Sequence, residues 1–301
     1  MGSRGSTLAL AQTKIVVEAL KKHAPTLHCR IVPIKTSGDT LHKKTEATND
    51  TNDNKSVFTK EIEECLLKGE IDVAVHSMKD LTTDPPAGLS ITAVPERGNH
   101  RDALISRSKR KLEQLPGGAR IGTSSPRRKT QLLAARSDLQ IVDMHGNVDT
   151  RLRKLRSGEC DAIILAVAGL ERLGLEQHIT QLLSIEVMLP AVGQGALAIQ
   201  SRESDDEIRD LLSRIEHGPT RRAVEAERAF ARRLGANCRT PIAAYAKATG
   251  EQLTIDGFVG SLDGRKVMRS KLVSDNPDAS KVGEELADSL LKQGAQLVLE
   301  A

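Results

Sequence analysis

Ile71 to Asp80 reads IDVAVHSMKD. Ile71, Val73 and Val75 recur at two-residue spacing, and the apolar run then stops in His76, Ser77, Met78, Lys79 and Asp80. That spacing is the side-chain period of a β-strand, so the segment reads as a buried strand that delivers polar groups at its carboxyl end. In open α/β sheets ligands sit outside the carboxyl ends of the strands, which makes a Lys beside an Asp there a site before it is a loop.

Helical and extended patterns alternate through the first two thirds of the chain, the signature of an α/β fold with parallel strands and crossover helices. Leu8 to Lys22 carries Leu8, Ala11, Ile15 and Ala19 on one face, and a strand is expected over Arg30 to Ile34. Thr36 to Lys55 holds almost nothing apolar and reads as a long exposed loop of the kind that forms lids. A helix over Phe58 to Lys68, closed by Gly69, leads into the opening strand. A second alternating unit starts near Asn99, with strands over Ala119 to Gly122, Gln140 to Asp143 and Ala162 to Ala168, and helices over Pro126 to Ala135 and Val148 to Ser157. LPAVGQG, Leu189 to Gly195, suits a hinge, after which Ala196 to Ile199 can re-enter the first sheet. Beyond Pro219 a charged helix, short strands and a last helix read as a small α+β domain.

Composition narrows the function. Lys plus Arg total 44 against 40 for Asp plus Glu, a mild net charge of +4, and one Tyr, three Phe and no Trp leave little to stack on exposed bases, so nucleic acid is not an expected partner. Cys29, Cys65, Cys160 and Cys238 lie far apart with no C-x-x-C pair, so no metal site is expected and a reduced, cytoplasmic setting fits. No run approaches the roughly 18 apolar residues of a membrane span, and MGSRGSTLAL lacks the apolar core of a signal peptide.

In GTSSPRRK, Gly122 to Lys129, Ser125 can cap a helix and Pro126 suits its first position. Arg127 and Arg128 then lie in a first turn, where the helix dipole disfavours cations by about 0.3–1 kcal/mol each. An anion held by Thr123, Ser124, free backbone N–H groups and the two guanidinium groups would compensate; a solvated basic turn is the alternative. HGNVDTRLRKLR, His145 to Arg156, repeats the arrangement, with Gly146 in the strand-to-helix turn and Arg151 one turn into the helix. Arg4, in GSRGS, adds a third basic group beside hydroxyls. Guanidinium groups suit carboxylates, with phosphate as the competing ligand, although no GxxxxGK[ST] loop is present. Asp80 reads as an acid–base group or a capping Asp, His76 as a structural histidine before a base, and Phe58 as a core anchor or a lid contact. Cys238, in a loop between Gly235 and Pro241 with Arg233 and Arg239 nearby, is the thiol expected to be reactive.

These stretches, with GSRxSxLALxQT (Gly2 to Thr13), VFTKEIE (Val57 to Glu63), HRDALIS (His100 to Ser106), DAIILAVAGLERLGL (Asp161 to Leu175) and LPAVGQGALAI (Leu189 to Ile199), resemble the porphobilinogen deaminase family in collinear order from Gly2 to about Asp263. The resemblance implies two periplasmic-binding-protein-like doubly wound domains, 1–95 plus 196–214 and 96–195, with the active-site cleft between them. A third, α+β domain over 215–301 carries the cofactor. It implies a dipyrromethane joined by a thioether to Cys238, to which four porphobilinogen molecules are added head to tail with loss of ammonia before water releases hydroxymethylbilane. By the same resemblance Asp80 stabilises cationic pyrrole nitrogens and assists proton transfer. Lys79, Asp80, Thr123, Ser124, Ser125, Arg127, Arg128, Gly146 and Arg151 hold the cofactor, while Arg4, Ser6, Gln12, His145, Arg151, Lys55 and Phe58 face the substrate. The family expectation is a monomer. A non-catalytic two-domain carboxylate-binding protein is the alternative that fold and arginines alone would permit.

Four departures from the family pattern carry expectations. His145 stands where Arg is usual, and Pro126 replaces Leu. The cysteine loop reads GANC for GGC, with Asn237 the least costly replacement if its φ is positive. The short apolar strand that precedes GSR in the family is not seen, so either the first sheet is short of one strand or the start is trimmed, and a less stable first domain is expected on that account.

Overall fold

The computed structural model describes residues 1–38, 58–82, 85–237 and 239–300. Most of the expected lid loop, Lys55 within it, and Cys238 lie outside the described residues.

In chain order come β1 (Gly2–Arg4), α1 (Thr7–His23), β2 (Val32–Ile34), α2 (Lys60–Leu67), β3 (Val73–Ser77) and β4 (Leu89–Ala93). There follow β5 (Asp102–Ser106), β6 (Arg120–Gly122), α3 (Pro126–Ala135), β7 (Gln140–Val142), α4 (Val148–Arg156), β8 (Ala162–Ala166), α5 (Val167–Glu171) and β9 (Gln181–Leu182). The rest is β10 (Leu197–Arg202), α6 (Asp206–Ser213), α7 (Gly218–Arg233), β11 (Ile242–Thr249), β12 (Gln252–Gly260), β13 (Val267–Ser274), α8 (Ala279–Lys292) and α9 (Ala295–Leu299). The chain divides into two compact units, Met1–Arg97 with Ala196–Arg221, and Gly98–Gly195 with Arg222–Ala301.

The first unit is built on a sheet of order β2-β1-β3-β10-β4. β1 runs parallel to β2 and β3, as alternating strands and helices require, but β10 is antiparallel to both β3 and β4. The sheet is therefore mixed where the sequence pattern alone suggests parallel strands. The re-entry of Ala196 to Ile199 explains the difference: β10 arrives without a crossover helix, so it enters from the opposite end. Helices cover both faces. Val73 and Val75 pack with Val16 and Leu20 of α1, while Ala74 packs with Ile62 and Leu66 of α2. That two-sided burial is why His76 is also buried within the strand. The tripeptide GSR is itself β1, with Gly2 opposite both Val32 and Ala74. The sheet has its strand at this place, so the lower stability expected from a missing one loses its ground.

The second unit repeats the arrangement in a sheet of order β7-β6-β8-β5-β9, with β6 parallel to β7 and β8, and β5 antiparallel to β8 and β9. The start of α3 follows from its own residues: Ser125 accepts the Arg128 N–H and Pro126 occupies the first turn, where a missing N–H costs nothing. An antiparallel meander, β11-β12-β13, forms the third sheet. Its apolar face closes on α7, α8 and α9 around Phe230, Val282 and Val298. Thr130 of α3 donates its hydroxyl to the Ser261 carbonyl at 3.0 Å, tying this layer to the second sheet.

Candidate functional site

In the first unit, the carboxyl end of β3 opens into a pocket lined by Arg4, Ser6, Leu8, Ala9, Gln12, Phe58, Thr59, Val75, His76, Ser77 and Asp80. Each polar group is placed by its element. Arg4 ends β1, and its guanidinium lies over the Phe58 ring at 4.2 Å, so Phe58 is a wall of this pocket and a platform for a cation. Ser6 caps α1, accepting the Ala9 N–H at 3.2 Å. Gln12, buried one turn further, donates from Nε2 to the Ser77 hydroxyl at 2.9 Å. Lys79 and Asp80 follow β3 in a short 3-10 turn, both half-buried. The structure thus brings together Arg4, Ser6, Gln12, Phe58 and Asp80 of the sequence-derived set.

In the second unit, the carboxyl ends of the neighbouring parallel strands β6 and β7 carry the other set. The Thr123 hydroxyl accepts the Ser125 N–H at 3.2 Å, the Ser124 hydroxyl accepts the Met144 N–H at 2.9 Å, and the Ser125 hydroxyl accepts the Arg128 N–H. None of the three donates to a described residue, which leaves three O–H donors at one strand-to-helix junction. Gly146 turns the chain into α4 with φ at +113°, and a Cβ there would meet Thr150 Cγ2 at 2.8 Å. His145 beside it is exposed. Arg151 donates from Nε to the Gly146 carbonyl at 2.8 Å and pairs with no carboxylate among the described residues. Burial, with Arg128 nearby, holds its pKa down to about 10, so it remains a poorly solvated cation at neutral pH.

Arg127 and Arg128 do not stand free in that first turn. Arg128 donates from Nη2 and Nε to Asp102 Oδ1 at 2.7 and 3.1 Å, and from Nη1 to the Ile164 carbonyl at 2.9 Å. Arg127 Nη1 donates to the Leu189 carbonyl at 2.7 Å and lies 2.8 Å from Asp102 Oδ2, a charge contact off the hydrogen-bond direction. The compensation expected from a bound anion is therefore supplied, at least in large part, by Asp102 on β5. Sequence reasoning passed over this residue. The available signal was an Asp opening the apolar run Ala103 to Ile105, where a buried charge requires a partner.

Burial alone would raise the Asp102 pKa, but the two arginine charges outweigh it and hold the group at about 2. Its folded pKa lies below the ordinary value near about 3.9. The stability it contributes is therefore present above about pH 4 and lost as pH falls toward 2. Asp102→Asn would leave two buried guanidinium groups without their carboxylate, an expected loss of about 3–5 kcal/mol. Urea unfolding at pH 7 checks the loss. The variant's stability should also change less than the parent's between pH 4 and pH 2.

Around position 238, Asn237 has no positive φ; Gly235, at +63°, takes the left-handed conformation. Asn237 Oδ1 accepts the Arg239 N–H at 2.8 Å and the Thr240 hydroxyl at 3.1 Å, while its own N–H donates to Thr240 Oγ1 at 2.9 Å. Asn237 therefore serves a side-chain-to-backbone turn rather than backbone permissiveness. Arg233 Nε donates to Asp288 at 2.6 Å, so of the two arginines expected to favour a thiolate this one is already paired.

The fold and these strand ends define an α/β protein with hydroxyl donors and a buried, carboxylate-free arginine gathered at the strand ends of its second unit. The family model "Porphobilinogen deaminase, dipyromethane cofactor binding domain" matches residues 1–210, and "Porphobilinogen deaminase, C-terminal domain" matches residues 221–292. The chain belongs to the porphobilinogen deaminase family. It is 47% identical to the porphobilinogen deaminase of Syntrophus aciditrophicus over 300 residues, covering 100% of this chain and 97% of the relative. It is 46% identical to that of Deinococcus deserti over 305 residues, again 100% of this chain and 97% of the relative. A TRAP periplasmic solute binding protein from Desulfovibrio salexigens superposes with a TM-score of 0.42 at 10% identity, over 71% of this chain and 70% of that one. Among the described residues no helix is long and apolar enough to cross a membrane, and no acidic, His or Cys cluster could hold a metal ion.

Proposed function

We propose that this chain is a transferase that condenses four porphobilinogen molecules head to tail on a covalently held dipyrromethane, losing ammonia at each addition and releasing hydroxymethylbilane by hydrolysis. The observation that carries this reading is the donor set at the ends of β6 and β7. Among the described residues, three hydroxyls accept backbone N–H groups without donating, and Arg151 is a desolvated cation whose one hydrogen-bond partner is a carbonyl. Such donors fit a ligand rich in acetate and propionate carboxylates, which every ring of a dipyrromethane carries. When bound, that group supplies the nucleophilic ring carbon on which the chain grows.

The roles of individual residues are part of the proposal. Lys79, Thr123, Ser124, Ser125, Arg127, Arg128, Arg151 and the backbone at Gly146 hold the cofactor's carboxylates, with Asp102 fixing the orientation of Arg127 and Arg128. Arg4, Ser6, Gln12, Phe58, Lys55 and His145 bind and orient incoming porphobilinogen. Asp80 stabilises the positive charge that develops on the pyrrole nitrogens as ammonia leaves and assists proton transfer. Cys238 anchors the cofactor through its sulfur. His145 stands in this set where the family usually has Arg. The working divisions are 1–95 plus 196–214, 96–195 and 215–301. A cytoplasmic monomer is proposed, a setting with which the free thiols of Cys29, Cys65 and Cys160 agree.

The test is the intact mass of the purified, denatured chain together with turnover of porphobilinogen. The expected result is the added mass of one dipyrromethane and one linear tetrapyrrole formed per four substrate molecules. A chain that stays unmodified and inert after incubation with porphobilinogen would overturn the reading.

A further inference from the structure

Beneath the pocket of the first unit, a polar chain crosses an otherwise apolar layer. His76 lies opposite Ala198 and Gln200 opposite Ala74 in the antiparallel β3/β10 pair, so the two side chains are diagonal neighbours on one face of the sheet. Gln200 Nε2 donates to Glu63 Oε1 of α2 at 3.1 Å. Gln200 is 0% exposed, and His76 and Glu63 are each 6% exposed. Burial raises the Glu63 pKa and holds that of His76 down to about 4, so the imidazole is neutral near pH 7.

Among the described residues, three buried atoms here have no hydrogen-bond partner: Thr59 Oγ1 on the pocket wall and, as a pair on the sheet, His76 Nε2 and Gln200 Oε1. Buried orphans of this kind call for an explanation, and the two on the sheet are complementary. Glu63 takes the amide N–H of Gln200 and thereby fixes which way the amide is turned, leaving Oε1 as the end available to the ring. Gln200 is also the neighbour that acts on His76 against the effect of burial. A neutral imidazole carries one N–H, and the Oε1 acceptor draws it to Nε2. Nδ1 is then bare, on a ring that lines the pocket.

We propose that His76 is a substrate-orienting residue whose bare Nδ1 accepts the N–H of the pyrrole ring, and that Glu63 and Gln200 are positioning residues that fix its tautomer. This rests on the reading of the chain as a porphobilinogen-condensing transferase. The pocket's chemistry leaves that role open. Arg4 can only donate, Ser6 and Ser77 already accept from Ala9 and Gln12, Gln12 Oε1 is within reach of the Ser77 hydroxyl at 3.2 Å, and the buried Thr59 hydroxyl lies against Glu63. A neutral acceptor beside Asp80 holds the N–H of the incoming ring while the carboxylate remains available for charge that develops later.

Nitrogen-15 imidazole spectra of the full-length protein read the tautomer directly, without reference to activity. At pH 7 His76 should be protonated at Nε2 and bare at Nδ1, Gln200→Leu should mix the two tautomers, and added porphobilinogen should move the Nδ1 resonance. In parallel, His76→Phe keeps a flat ring and removes both nitrogens. Its cofactor mass should be complete, its KM for porphobilinogen should rise about tenfold, the scale of one hydrogen bond, and kcat should fall much less. His76→Gln, which restores an acceptor, should recover part of the KM. A dominant Nδ1–H tautomer in the parent, or an unchanged KM in a fully loaded His76→Phe, would overturn the proposal. A parent that neither loads nor turns over would instead overturn the functional reading, whatever the tautomer.

Discussion

Cys238→Ser is expected to carry no dipyrromethane mass and to form no tetrapyrrole, while its thermal unfolding stays close to that of the parent. The expectation rests on sulfur chemistry: a thiolate is the nucleophile that makes a thioether, and a serine hydroxyl at neutral pH supplies almost no anion. The backbone on both sides of position 238 is tied by the reciprocal Asn237 and Thr240 contacts, which a change at 238 does not remove. Arg233 is paired with Asp288, so Arg239 is the nearby cation left to favour a thiolate. Arg239→Ala should therefore slow loading without abolishing it. A Cys238→Ser chain that loads and turns over normally would remove the cysteine from the mechanism and with it the covalent primer.

Asp80→Asn should load the cofactor fully yet turn over about a thousandfold more slowly. The carboxamide keeps the shape of the carboxylate at the end of β3, where the residue is half-buried against the Arg4, Ser6 and Gln12 wall, but it loses the charge. A unit charge about 4 Å from a developing cation, at an effective dielectric of about 20, is worth about 4 kcal/mol. That corresponds to about three decades in rate. KM should change little, because the charge is demanded only as ammonia leaves. Stopped-flow or steady-state turnover on mass-verified protein decides it. Near-parental kcat would reduce Asp80 to a residue that shapes the pocket.

Much of the site was visible in the chain itself because its signals are local. The switch from Val75 to His76, Ser77, Lys79 and Asp80 marks a strand end wherever the strand goes, and the pocket lies there. Ser125 and Pro126 start a helix by contacts within one turn, so α3 begins and ends where the sequence places it. Gly146 and Arg151 share the same short-range logic, a turn that needs positive φ and a side chain reaching back to it.

What the residues could not reveal are partners chosen across long stretches of chain. Arg127 and Arg128 looked like free cations awaiting an anion until the order of the second sheet set Asp102, 26 residues away from Arg128, against them. Gln200 reaches Glu63 across 137 residues because β10 returns antiparallel beside β3, a direction that periodicity does not encode. Capping, turn conformation and side-chain period depend on neighbours within a few bonds, so the sequence alone determined the strand ends, the helix starts and the chemical types at the site. The pairing of buried charges and amides depends on strand order and direction. Only the tertiary structure decided which arginines are already satisfied, and which histidine is left with a complementary orphan beneath the pocket.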